Sequence, residues 1–409
     1  MKRRFRKHLW IMLVTLILLP LGIAALNVLV DPYRAYRDVS LSLFEPHRRT
    51  RGRRTKAMML ERGDWQLILM GSSRCETALD PGHPGFADKR VVNLGLNRYN
   101  VAELKLQLEY AVLHNPLEEA IICLDFFGFN PLRHYDEDFD PMDYRPARAL
   151  AARRTGAIEF RQSRFNPRRR PWLDHASMLL GRDATSDMIK LVRRMIVGTP
   201  NHYTTTGLRT RSYQIGGTRR KFARSLRGSM RSTINYLGWR YGRAHRESVL
   251  GIVSLAEMHG IRLTFLFLPM HALQHEAIHA LDLWDDWEAW LRDLAYIVDR
   301  AKATGAPPVT LWDFQGYSRF TTETVPVRDD DRTARHYFHE SSHCSRAVGN
   351  AVLDRMTSGA EPPGERFGVR LTGAMMDKHL AAMRAARDAY HERHPDQIAF
   401  FNEVIAESD

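Results

Sequence analysis

Short apolar runs, each closed by a glycine, proline or polar turn, alternate along this chain with segments of helical periodicity. Trp65 to Met70 (WQLILM) is nearly unbroken in its apolar character and stops at Gly71, the pattern of a strand buried on both faces. Similar runs cover Arg90 to Leu94, Ala120 to Phe126 (AIICLDF), Ile261 to Leu268 (IRLTFLFL) and Val309 to Phe314. Between the second and third, Asn100 to His114 sets Leu104, Leu106, Leu108, Val112 and Leu113 among polar residues, which suits a helix covering a sheet. Helices are expected again around Glu247 to His259, His275 to Ala301 and Ser345 to Met356. Strand, helix, strand at these lengths predicts parallel βαβ units, so the expected fold is α/β with one doubly wound, parallel five-stranded sheet.

Two segments fall outside that alternation. Leu9 to Val30 is a 22-residue run in which Thr15 and Asn27 are the polar interruptions, preceded by Lys2, Arg3, Arg4, Arg6 and Lys7. At about 1.5 Å per helical residue it reaches roughly 33 Å, enough for a transmembrane helix. The basic flank is expected to stay cytoplasmic, leaving the body on the extracytoplasmic, periplasmic side of the inner membrane as a single-pass protein. A cleaved signal peptide is the competing reading, given the small residues Ala24 and Ala25; both export the body. The second segment, about 131 to 246, lacks convincing strands and is expected to be a helical basic insert. The organisation is thus a basic tail and anchor (1–31), an α/β domain (32–359) carrying the insert, and a C-terminal Pro/Gly-rich linker with one helix over Thr372 to His391 (360–409).

Charge sharpens this picture. The whole chain carries +13, but Arg145 to Arg246 holds 24 Lys or Arg against 4 Asp or Glu, so the remainder is net acidic. No nucleic-acid motif accompanies the basic stretch, and a body outside the cytoplasm excludes a nucleic-acid partner. A solvated or lipid-facing surface is the plainer account of the stretch. A further cluster, Arg48, Arg49, Arg51, Arg53, Arg54 and Lys56, sits just past the apolar run. Cys75, Cys123 and Cys344 fit no zinc spacing, so no metal is expected; buried free thiols are favoured over a bridge.

Candidate chemistry sits at the ends of the expected strands. The first delivers Gly71-Ser72-Ser73-Arg74 into the crevice where such sheets bind ligands, although a serine there also serves as a helix cap. The second delivers Asn93-Leu94-Gly95. Glu340-Ser341-Ser342-His343 precedes the last expected helix, and a carboxylate and imidazole three residues apart in a turn can hydrogen-bond, fixing the tautomer in which the ring accepts a proton. His271 and His275 follow the fourth strand, and Asp313 ends the fifth. Trp284, Trp287 and Trp290 at helical spacing suit packing against the sheet better than sugar stacking.

These three segments, in this order, resemble the blocks of the SGNH (GDSL-like) hydrolase superfamily. The likeness extends to its membrane-anchored bacterial members, including those that O-acetylate exopolysaccharides such as alginate, through Asp31-Pro32-Tyr33, ILMGSSR, NLGLN, LDFFGFN, LWDF and HESSHCSRAVG. The resemblance implies a flavodoxin-like three-layer sandwich, Ser73 as nucleophile, His343 as its base, Glu340 as the orienting carboxylate and no cofactor. It implies an oxyanion and substrate-binding set of Gly95, Ser72, Arg74, Asn97, Asp125 and His271. Two positions depart from the family pattern. Asp125 stands in Cys123-Leu124-Asp125-Phe126 where the family has an asparagine donor, and an ionised carboxylate cannot donate a hydrogen bond. Glu340 replaces the usual aspartate.

The expected function is acyl-ester chemistry on a cell-envelope carbohydrate: an esterase with water as acceptor, an O-acyltransferase with a sugar hydroxyl. Expected partners are the inner membrane, a polysaccharide or acyl-ester substrate and a polytopic acyl-donor membrane protein. The alternative is a catalytically silent scaffold of the same fold that binds an anionic polysaccharide or an assembly partner, to which the Asp125 departure lends support.

Overall fold

A computed structural model describes residues 2–36, 38–133, 171–210, 218–302, 308–329 and 337–407. The chain opens with helix α1 (Lys2–Val30) and a short α2 (Arg53–Glu61), then alternates β1 (Leu67–Met70), α3 (Ser73–Ala78), β2 (Val91–Asn93), α4 (Val101–His114) and β3 (Glu119–Cys123). The insert contributes α5 (Pro171–Leu180), α6 (Arg182–Val197) and α7 (Thr218–Arg231), followed by α8 (Arg243–Met258), β4 (Arg262–Phe267), α9 (Ala272–Ala280), α10 (Trp284–Lys302), β5 (Val309–Asp313) and α11 (Arg346–Thr357). A short β6 (Val369–Arg370) and helices α12 (Met376–Arg393) and α13 (Pro395–Ala406) end the fold.

The sheet has the order β2-β1-β3-β4-β5-β6. The pairs from β2 to β5 are parallel. β6 pairs antiparallel with β5 through Trp312–Arg370 and Asp313–Val369. The expectation of a purely parallel five-stranded sheet is therefore corrected: the sheet is mixed and six-stranded. The sixth strand is two residues inside what composition marks as a linker, too short for any alternation to register. The central strand β1 is apolar throughout because both of its faces are covered, and all four of its residues are fully buried. Strand order runs outward from β1 in one direction and then back across it, so right-handed crossovers send the β1–β2 connection to one face and the later ones to the other. Helix contacts follow this division, α3 packing on α11 and α4 on α8.

Two helical expectations are also corrected. His275 to Ala301 forms two helices, broken where Asp282 takes a left-handed φ of 54° and Leu283 turns inward. The C-terminal segment holds two helices, the second opened by Pro395 at its first turn, with Tyr390, Phe400, Phe401 and Val404 buried.

α1 contains a stretch, Arg4–Val30, long and apolar enough to cross a membrane. Its side chains are largely exposed until Asn27 and Val30, which are buried where α1 meets α5 and α6. There Asn27 Nδ2 donates to the Leu179 carbonyl at 2.8 Å, and Val30 packs with Phe44, Met188 and Leu191. The described parts of the insert form three helices joined by loops, with an isolated antiparallel bridge between Tyr203 and Arg209, and α7 reaches the edge of the site described next; residues 134–170 and 211–217 lie outside the described residues.

Candidate active site

Gly71 closes β1 with φ 146°, and a Cβ there would lie 2.7 Å from Cys123 Cβ, so the turn into α3 runs tightly against β3. Ser72 is the cap of α3: its Oγ accepts from the Arg74 N–H at 3.1 Å. That leaves Ser73, the first helical residue, with its hydroxyl turned outward. Its Oγ lies 2.8 Å from His343 Nε2. The two serines of GSSR thus divide the two roles a serine has in such a turn.

His343 sits in a tight turn held by an antiparallel bridge between Phe338 and Cys344 and by the His339 N–H to His343 C=O bond at 2.9 Å. Within it Nδ1 of the ring meets Glu340 Oε1. Glu340 is further braced by the Ser342 N–H at 2.9 Å and by the hydroxyl of Ser225 on α7. Burial pushes the Glu340 carboxyl up. The neighbouring imidazole, the hydrogen bonds it donates and those from Ser225 and Ser342 outweigh this and hold it at about 2. Ser225 in turn accepts from Ser341, which accepts from Gln274 Nε2 at 2.7 Å. The histidine retains 26% and the glutamate 20% of its side-chain exposure, so the dyad is reachable from solvent.

Helix packing brings serine and histidine together. α11 follows His343 directly, α3 begins at Ser73, and the two touch at Gly349, where a Cβ would stand 1.8 Å from the Ala78 carbonyl oxygen. Only a glycine permits that approach.

Arg74 and Asp125 form a buried pair, Nη1 to Oδ1 at 3.0 Å with 3% and 1% side-chain exposure. Arg74 Nε also donates to Ser342 Oγ at 3.0 Å, tying the pair to the residue next to His343. Asp125 is therefore turned toward a cation, and its charge is matched by the arginine next to Ser73 in the chain. Gly95 differs from its expected role: its N–H donates to Asn93 Oδ1 at 2.9 Å, and a Cβ there would strike the Glu76 backbone nitrogen at 2.6 Å. The glycine lets the strand pass close behind α3. Asn97 is exposed, its carbonyl accepting from Arg53 at 3.4 Å.

His271, expected in the substrate-binding set, is instead a fully buried cap of α9: Nδ1 accepts from the Leu273 N–H at 3.3 Å and Nε2 meets the Glu323 carbonyl at 2.6 Å. Burial holds it at about 4. His275 is likewise buried, among Trp284, Trp287 and Tyr317, and burial takes it to about 3. Neither is the solvated helix-start residue that its place after a strand suggests. Asp313 pairs with His379 of α12 at 2.8 Å. Cys75, Cys123 and Cys344 are buried free thiols. Trp287 and Trp290 are buried completely. Among the described residues no group of three His, Cys, Asp or Glu is placed to hold a metal ion. Ser225 was not legible in the sequence, since 115 residues separate it from Glu340.

No protein-family model matches the chain, and no curated protein is significantly similar to it. The geometry therefore has to stand on its own chemistry. A serine hydroxyl against an imidazole whose other nitrogen faces a carboxylate held at about 2 is an arrangement able to activate an oxygen nucleophile.

Proposed function

We propose that this protein is a membrane-anchored, extracytoplasmic SGNH-like serine esterase or O-acyltransferase acting on acyl groups, acetyl foremost, of a cell-envelope or exopolysaccharide carbohydrate. The observation that carries the reading is the 2.8 Å contact between Ser73 Oγ and His343 Nε2. The parallel strand order 2-1-3-4-5 within the sheet, a flavodoxin-like order, supports the fold half of it. The apolar α1 supports anchoring, and its basic start supports an extracytoplasmic body at the inner membrane.

In this mechanism His343 Nε2 takes the proton of Ser73 as Oγ attacks the acyl carbonyl, while Nδ1–H donates to Glu340, which stabilises the imidazolium. The proton passes to the departing alkoxide, leaving an acyl-serine. Water or a sugar hydroxyl then gives its proton to Nε2 and attacks the acyl carbon, and Ser73 leaves. The Ser73 N–H is the backbone donor to the oxyanion. Arg74, neutralising Asp125 and holding Ser342, keeps the negative carboxylate from opposing that charge. A polytopic donor protein in the same membrane would supply the acyl group for transfer.

A second reading, a silent scaffold binding an anionic glycan, is favoured by the engagement of the Gly95 N–H with Asn93, which removes one donor expected of the oxyanion hole. Hydrolysis of p-nitrophenyl acetate by the full chain in detergent separates the two. Wild type is expected to turn over, and Ser73→Ala and His343→Ala, folded by circular dichroism, to lose about 10³-fold or more. A wild type no faster than its variants, with acetyl-donor transfer assays equally flat, would leave the scaffold.

A further inference from the structure

The cations just past α1 divide in the fold. Arg48 pairs with Glu45 at 2.8 Å and donates to the Val30 and Leu41 carbonyls, both at 3.1 Å. Arg53 is buried against Glu103. Lys56 Nζ donates to the carbonyls of Asn93 at 2.6 Å and Gly207 at 3.1 Å. These three are held by acceptors of the protein itself. Arg49 and Arg51 line a cavity of about 260 Å³ together with Lys190 and Arg194 of α6. Four cations thus meet one carboxylate, Asp187, which already accepts from the Tyr33 hydroxyl at 2.8 Å and from Lys190 at 3.0 Å. The Nε atoms of Arg49 and Arg194 are buried without a hydrogen-bond partner. Burial and the charge of Arg49 both press the Arg194 guanidinium downward from its ordinary pKa.

Cations gathered around one cavity with unpaired buried donors are stabilised by an anion with several acceptor oxygens, and arginine forks suit the tetrahedral oxyanion of phosphate. The location adds a source. Pro32 and Tyr33 in the wall follow the last residue of α1 by two and three positions. The Leu41 N–H bonds the Leu29 carbonyl at 2.8 Å, and Leu41 and Leu43 remain 44% and 56% exposed. With α1 crossing a bilayer, the cavity stands at the depth of lipid headgroups.

We propose that this cavity binds a phosphate group, carried by an anionic lipid headgroup at the membrane surface or present as free inorganic phosphate. The site contains neither Ser73 nor His343 and stands apart from the proposed catalysis; its lipid source alone rests on α1 as a membrane span.

The test uses the full chain in maltoside detergent. Native mass spectrometry compares retained phosphatidylglycerol with phosphatidylcholine at equal concentration, and thermal shift follows titration with inorganic phosphate against chloride at matched ionic strength. Wild type and Ser73→Ala are expected to behave alike. The double variant Arg49→Ala/Arg194→Ala is expected to bind at least about tenfold more weakly. Lys190→Gln, at an exposed helix position that cannot unfold the protein, is expected to weaken binding several-fold. A preference for phosphatidylglycerol that phosphate does not reproduce assigns the lipid source, and phosphate binding without lipid preference assigns the free ion. Absence of both in wild type, or equal binding by folded variants, overturns the site. Loss of ester hydrolysis in Ser73→Ala with phosphate binding intact, or the reverse, keeps the two proposals separately decidable.

Discussion

His343–Glu340 and His379–Asp313 are both histidine–carboxylate pairs in the chain that follows β4, and by ring-to-carboxylate contact alone they are alike. Both histidines present one nitrogen to a carboxylate oxygen. Asp313 is completely buried and His379 nearly so, at 9%; the other pair keeps 20% or more of its side-chain exposure. Burial lowers the His379 ring, but its hydrogen bond and ion pairing to Asp313 more than offset this and leave its pKa raised. It ties α12 to the end of β5. His343 offers its second nitrogen to a serine hydroxyl. The carboxylate sets the tautomer in both cases. A third group and access from solvent decide whether the pair can do chemistry or serves as a clasp.

The largest expected effect is on the exposed pair. Glu340→Gln keeps the shape but removes the charge that stabilises imidazolium, so ester hydrolysis should fall by about 10² to 10⁴; a loss below about threefold would show that Glu340 does no more than shape the turn. Because its carboxyl is held at about 2, the stabilisation it gives is present above the ordinary value of 4.5 and lost as pH falls through that interval. The destabilisation caused by Glu340→Gln, followed by denaturant titration, should therefore shrink between those two pH values.

A smaller effect is expected from moving the exposed pair as a unit. Gly349→Ala sets a Cβ against the Ala78 carbonyl at 1.8 Å, forcing α11 away from α3. About 1–3 kcal/mol of stability and about 10² in rate should be lost, measured by chemical denaturation and by kcat. Unchanged rate with reduced stability would mean that the Ser73–His343 distance is set elsewhere.

His379→Gln should be the mildest, with hydrolysis unaltered and stability reduced by about 1 kcal/mol. The sign of its pH dependence is opposite to that of Glu340. A raised histidine contributes fully below its unfolded value of 6.5 and loses that contribution as pH rises through the folded value. Denaturant midpoints of wild type and variant should differ more at pH 6 than at pH 9; a gap that widens with pH would refute the clasp.

Much of the frame was legible because it is written in short-range periodicity. β1 to β5 stand within a few residues of the apolar runs that announce them, and α1, α4, α8 and α11 follow from apolar spacing and caps such as Asn100, whose side chain accepts from the Glu103 N–H. The spacing of Glu340 and His343 is likewise local, and so is the turn that exposes Ser73. β6 was hidden because two residues carry no period. The break at Asp282 was hidden because an apolar stripe continues across it.

By itself, the sequence determined the α/β class, the apolar helix at the start and the order in which three short polar segments arrive at strand ends, since each depends on neighbours within a turn or two. Only the tertiary structure decided which of those groups meet. Ser73 reaches His343 across 270 residues because strand order and the Gly349 contact bring two loops together. Asp125 is answered by Arg74 and Glu340 by Ser225, while His271 is sealed in as a cap. Of the six basic residues after α1, Arg48, Arg53 and Lys56 become structural cations, Arg49 and Arg51 cavity walls, and Arg54 lies over the Tyr33 ring, a division made only when α6 packs beside them. Pairings of this kind depend on how loops close over the sheet, and no local pattern encodes that closure.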